Sequence, residues 1–137
     1  MIAQTQCTSF KSELYQGVHN LLTDNIYIAL YTSSATLDQS TTVYTTTGEV
    51  SDVAYTTGGQ LLTGVTVNSS GYTAYVSFNN PSWSGAITAR GALIYNRSKG
   101  NKAIAVLDFG ADKTSTMTFT VTLPANTADS ALIRSSN

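Results

Sequence analysis

Charge is what this sequence has least of. Asp, Glu, Lys and Arg make up 11 % of its 137 residues, against about a quarter in an average soluble domain. Seven basic residues against eight acidic ones leave a net charge of −1, which argues against a surface built to coat nucleic acid. A single Cys and a single His exclude an intrachain disulfide and a zinc cage of Cys and His ligands. No stretch approaches the roughly 18 consecutive apolar residues of a bilayer-spanning helix. The longest apolar runs, Ile26–Tyr31, Ala92–Tyr95 and Ala103–Leu107, are strand-sized. Met1 to Ser9 shows no basic segment followed by a long apolar one and does not read as a secretory leader. The lone Cys7 fits synthesis in a reducing cytoplasm, with no neighbouring base to activate its thiol.

What the chain does have is apolar residues, at 42 %, and hydroxyls: 22 Thr and 16 Ser. The first figure is too high for disorder. The second, with little Lys or Glu, is poor helix material and good strand material. The length fits a single domain over residues 1–137, with enough buried surface for a core without metals or disulfides.

One helix is expected, over residues 9–22, where Phe10, Leu14, Val18, Leu21 and Leu22 recur at helical spacing behind Thr8 or Ser9 as a cap. Asn25–Thr32 alternates and is apolar on both faces, which predicts a central strand. Residues 33–59 form a long polar connection with short edge strands near Val43-Tyr44 and Val53–Tyr55. Gln60–Val67 and Tyr72–Phe78 predict a hairpin closed at Asn68–Gly71, with Tyr72, Ala74, Val76 and Phe78 inward. Ile87–Tyr95 and Lys102–Phe109 are expected as partner strands across the turn Asn96–Asn101, with Gly91 a bulge or close approach. Gly110–Lys113 reads as a turn. Ser115–Leu123 alternates most regularly of all, and Ala131–Arg134 is a last short strand. Turns at this spacing predict a mainly β fold: an antiparallel, jelly-roll-like sandwich over 25–134 with one N-terminal helix.

Chemistry is sparse. His19 has no nucleophile or orienting group at a recognisable spacing and reads as a surface or half-buried helix residue. No G-x-S-x-G elbow occurs. Asp108-Phe109-Gly110 spells a kinase magnesium motif, but no Gly-rich loop or H-R-D accompanies it. Asp108 and Asp112 flank a turn without the spacing of a calcium loop. No catalytic, metal or cofactor residues are therefore assigned. Arg97, Lys99 and Lys102 gather three of the seven cations in one turn, a candidate contact for an acidic partner or a solvated hairpin tip. Tyr44, Tyr55 and Trp83 lie in or beside polar loops, where rigid amphipathic rings can anchor a partner or a sugar or close the ends of a sandwich.

The runs Ala29–Leu37, Tyr55–Gly59, Ala89–Asn96, Gly100–Lys113 and Phe119–Ala125, with Trp83, resemble small virion proteins of tailed bacteriophages over residues 26–134. The resemblance lies in a pattern of strands and turns and brings no catalytic residues. It implies a non-enzymatic structural protein made in the host bacterial cytoplasm and located in the virion. The favoured role is a capsid cement or decoration protein that bridges capsid subunits as a dimer or trimer. A neck or tail component, or a carbohydrate- or receptor-binding module, is the alternative. Expected partners are the major capsid protein or another virion protein, with no nucleic acid, membrane or cofactor. Candidate contacts are Phe10, Leu14, Tyr44, Tyr55, Trp83, Arg97, Lys99 and Lys102.

Overall fold

Two-sided burial sets the architecture. In the strands Ile26–Tyr31 and Thr88–Asn96, successive residues are buried rather than alternate ones, so both faces of their sheet are covered. The computed structural model describes residues 1–136 and is 40 % strand and 8 % helical. In chain order its elements are β1 (Thr5–Gln6), α1 (Thr8–Tyr15), β2 (Ile26–Tyr31), β3 (Gln60–Leu61), β4 (Thr66–Ser70), β5 (Thr73–Ser77), β6 (Ser82–Ser84), β7 (Thr88–Asn96), β8 (Lys102–Thr114), β9 (Thr118–Thr120) and β10 (Ile133–Ser135). They make a five-stranded sheet in the order β1-β8-β7-β2-β3, a three-stranded sheet β10-β5-β4 and a two-stranded ladder β6-β9. Every pairing between these strands is antiparallel. The fold is mainly β and sandwich-like, with one short helix near the N-terminus.

The large sheet holds the core, with Ile28, Leu30, Leu93, Ile94, Ile104 and Val106 fully buried. Tyr95 and Tyr31 reach from one face into the connection 33–59: the Tyr95 hydroxyl donates to the Gly58 carbonyl (2.6 Å) and that of Tyr31 to the Thr45 carbonyl (2.5 Å). Asn96, of opposite parity, reaches His19 beyond the helix. The long connection thus serves as a lid on the sheet. It also extends β2, because Val50 donates to the Leu30 carbonyl (3.0 Å) and Thr32 to that of Gly48 (2.8 Å).

Gly91 has the close approach its position suggested. A Cβ there would sit 2.5 Å from the Leu107 carbonyl oxygen, and the β7–β8 register shifts beside it. Arg90 alone stands opposite Phe109–Asp112, after which Lys113 and Thr114 pair again with Ala89 and Thr88. Gly110–Lys113, expected as a turn between strands, is therefore a bulged stretch inside β8, eased by Gly110 at φ +81.

Four further expectations need correction. The helix stops at Tyr15 rather than residue 22, because Gly17 takes a left-handed φ of +72 and the chain turns back. Only Phe10 and Leu21 of the expected stripe are buried. The strand expected over Gln60–Val67 breaks near Gly64 (φ +65), so β3 joins the large sheet while β4 leaves it. The hairpin turn falls at Gly71-Tyr72, not Asn68–Gly71; Val76 and Phe78 are buried, while Tyr72 is exposed at the tip. Of Ser115–Leu123 only Thr118–Thr120 is a strand; Phe119, Val121 and Leu123 point inward and Met117 does not.

Candidate partner-contact surfaces

The turn after β7 is built by Asn96, whose Oδ1 accepts from the Ser98 amide (3.0 Å) and starts a 3-10 turn over Arg97–Lys99. Gly100 (φ +67) and Asn101 (φ +61) then bring the chain back into β8. Arg97 and Lys99 are exposed and Lys102 is half-buried, so the expected basic cluster exists. Each cation, however, faces a group of its own chain. The Arg97 guanidinium lies 4.6 Å over the Tyr27 ring. Lys99 Nζ is 3.9 Å from Asp24 and Lys102 Nζ 3.9 Å from Glu13. The two ammonium groups lie in solvent and at long range from their carboxylates, so each pair contributes at most about 1 kcal/mol, but they reduce the free positive charge the turn can offer.

Beneath the turn runs a polar chain that sequence reasoning missed. His19 is not on the helix, and its side chain is wholly buried. Its Nε2 lies 2.9 Å from Glu13 Oε1 and its Nδ1 2.9 Å from Asn96 Nδ2. An amide nitrogen only donates, so Nδ1 accepts and Nε2 carries the proton. The Asn96 amide also donates to Asp24 Oδ2 (2.8 Å). Burial alone would raise the Asp24 carboxyl. The Asn20 backbone N–H, the Asn96 amide and the charge of Lys99 outweigh it and hold Asp24 below the usual range. With every polar atom of His19 and Asn96 spoken for, the chain fastens the segment after α1 to the end of β7.

Glu49 anchors a second cluster. Its carboxylate accepts from the Tyr44 hydroxyl (2.6 Å), from the Tyr55 hydroxyl and from the Gly58 amide (2.8 Å). Tyr44 stacks on Tyr95 at 4.6 Å. Burial first, and then the neighbouring carboxylate, pushes the phenols of Tyr44 and Tyr55 up, so both remain protonated donors. The spacing of Tyr44, Glu49 and Tyr55 carries no local periodicity that would have disclosed this.

The other two candidate aromatics are likewise taken up inside the chain. Trp83 is buried between Tyr55 (6.1 Å) and Phe119 (6.4 Å). Phe10 is fully buried, 5.1 Å from the His19 ring, and Leu14 is partly exposed. Asp108 is engaged by Arg90 Nε (3.0 Å) and the Gly110 amide (2.9 Å). Cys7 is buried, and burial, followed by Asp38 and Glu13, pushes its thiol up to about 12.

The surface left open lies elsewhere. Residues 53–89 contain no charged residue and no His, a signal legible in the sequence itself. This run includes β4 and β5, whose hairpin projects with β4 exposed throughout. Beside it a groove of about 430 Å³ runs between Leu14, Leu21 and Leu22 on one side and Val67, Val76 and Ile133 on the other. A second groove, about 480 Å³, lies between the end of β8 and β9 and is lined by Phe109, Phe119 and several threonines. Comparison with protein-family models, with characterised proteins and with solved structures finds no match to this chain.

Proposed function

We propose that this protein is a non-enzymatic structural component of a bacteriophage particle, and specifically a cement protein that bridges neighbouring capsid subunits. The observation that carries the reading is the open, uncharged β4–β5 hairpin with its adjoining apolar groove. It is a contact surface of backbone groups, hydroxyls and mostly aliphatic side chains, with Arg134 and His19 also lining the groove, on the small three-stranded sheet. Such a surface suits a static joint repeated many times, in which modest contacts add by avidity. The strand-and-turn resemblance of residues 26–134 to small virion proteins supports the same role. The burial of Trp83 and Tyr55 weighs against a sugar-stacking platform at those rings.

Quantitative mass spectrometry of purified particles tests the proposal. A cement role requires copies in proportion to the capsid lattice. A single ring's worth of copies moves the protein to the neck, and absence from particles removes the virion reading. Particles lacking the chain should still assemble but release DNA at a lower temperature.

A further inference from the structure

The free edge of β4 is a built strand-pairing surface. β4 is the outer strand of the sheet β10-β5-β4, and all five of its residues are exposed. The hairpin turn is two residues long, with Gly71 at φ +60, the geometry in which glycine takes the first central position. Ser70 and Thr73 are then the first hydrogen-bonded pair. The alternation of an antiparallel ladder turns the backbone groups of Ser70, Asn68 and Thr66 toward β5. It leaves the N–H and C=O of Val67 and Ser69 pointing outward. Natural edges are blunted by Lys, Pro or a bulge. Thr66–Ser70 contains none of these, and its register with β5 is unbroken.

We infer that this edge pairs with the same edge of a second copy of the chain, antiparallel, about a two-fold axis at Asn68. In that register Val67 faces Ser69 of the second copy, and each such pair exchanges both of its N–H···O=C bonds. Two three-stranded sheets become one continuous sheet. The occupant is a second copy because the edge is complementary to itself and free of charge. Identical charged surfaces repel, and nothing from residue 53 to 89 carries a charge. Residues opposite one another in an antiparallel pair share a face, so the two grooves lie on the same side of the joined sheet. The second copy covers Val67, which is 51 % exposed alone, and narrows the groove that holds Leu22, 60 % exposed. A single pairing of five-residue strands makes a weak dimer, with an expected dissociation constant on the order of 1–100 μM. This inference does not rest on the virion reading, since it concerns the purified chain alone.

Sedimentation equilibrium of the full chain over a concentration series is the test. The wild type should dimerise. Ser69→Pro removes one outward N–H at a position where an edge strand tolerates Pro. Val67→Lys places a charge on each edge. Both should weaken dimerisation by at least about tenfold while the chain unfolds as the wild type does; if Ser69→Pro fails to fold, Val67→Lys decides. The register is read by disulfide formation. Asn68→Cys brings two thiols to a directly opposed pair with Cα atoms about 4.5 Å apart and should cross-link under mild oxidation, whereas Thr66→Cys should not. Cys7 is buried and does not compete. A wild type that stays monomeric up to about 1 mM overturns self-pairing and leaves the edge to a strand of another protein. A dimer unaffected by Val67→Lys, or equal cross-linking of the two cysteine variants, overturns it as well.

Discussion

Asn96 uses its whole side chain: the amide donates to His19 and Asp24, and the carbonyl accepts from Ser98. Replacing it by Ala leaves His19 Nδ1 and an Asp24 oxygen without that donor in a buried setting. Asn96→Ala should therefore destabilise the protein by about 2–4 kcal/mol, measured as the shift in urea unfolding at constant slope. Asp24 adds a pH dependence with a definite sign. Its carboxyl titrates lower in the folded chain than its ordinary 3.8. The stability it contributes is therefore complete above that value and is lost as pH falls through the lower folded one. Asp24→Asn should flatten the acid limb of melting temperature against pH below about 4 and change little at neutral pH. An acid limb identical to the wild type would show that Asp24 plays no part. Neither residue was legible from sequence. Asn96 reads as the first residue of a turn and His19 as a helix residue, and their meeting is separated by 77 positions. What was legible was the run Ala92–Tyr95 beside them, because apolar residues announce burial by themselves and a polar residue announces it only through its partner.

At the scale of elements, the strands with the largest apolar payload were the most legible. Ile26–Tyr31 and Thr88–Asn96 fall within two residues of their expected limits, since a strand covered on both faces is apolar at every position. Elements that depend on where the chain turns were less so. An apolar stripe continuing past Gly17 looked like one helix, but its second half packs as an irregular segment around His19. Gly64 divides an alternating run between two sheets. The N-terminal segment is nevertheless part of the core. β1 pairs with β8, and Cys7 and Phe10 are fully buried. Deleting residues 1–22 should therefore abolish cooperative unfolding rather than release a folded β-domain. Circular dichroism melting of the fragment checks this; a sharp, reversible transition would show that the sheet closes without the helix.

Over the whole molecule, charge is segregated along the chain. All fifteen Asp, Glu, Lys and Arg residues lie outside 53–89. Glu13, Asp24, Arg97, Lys99 and Lys102 gather around the turn after β7, while the β4–β5 hairpin is neutral and exposed. The two surfaces should answer differently to salt. Raising ionic strength from about 0.1 to 1 M shortens the screening length from roughly 10 to 3 Å, which weakens contacts between exposed charges and leaves backbone pairing and apolar burial in place. If the protein attaches to a capsid through its neutral hairpin and groove, occupancy should vary by less than about twofold across that range. Replacing Arg97, Lys99 and Lys102 together by Ser should slow attachment more than it lowers final occupancy, because exposed charges act mainly on encounter. If attachment runs through the charged turn, the same salt increase should strip the protein from particles, and the triple variant should fail to bind. Occupancy measured by gel densitometry after equilibration at each salt concentration tells the neutral hairpin from the charged turn as the docking surface.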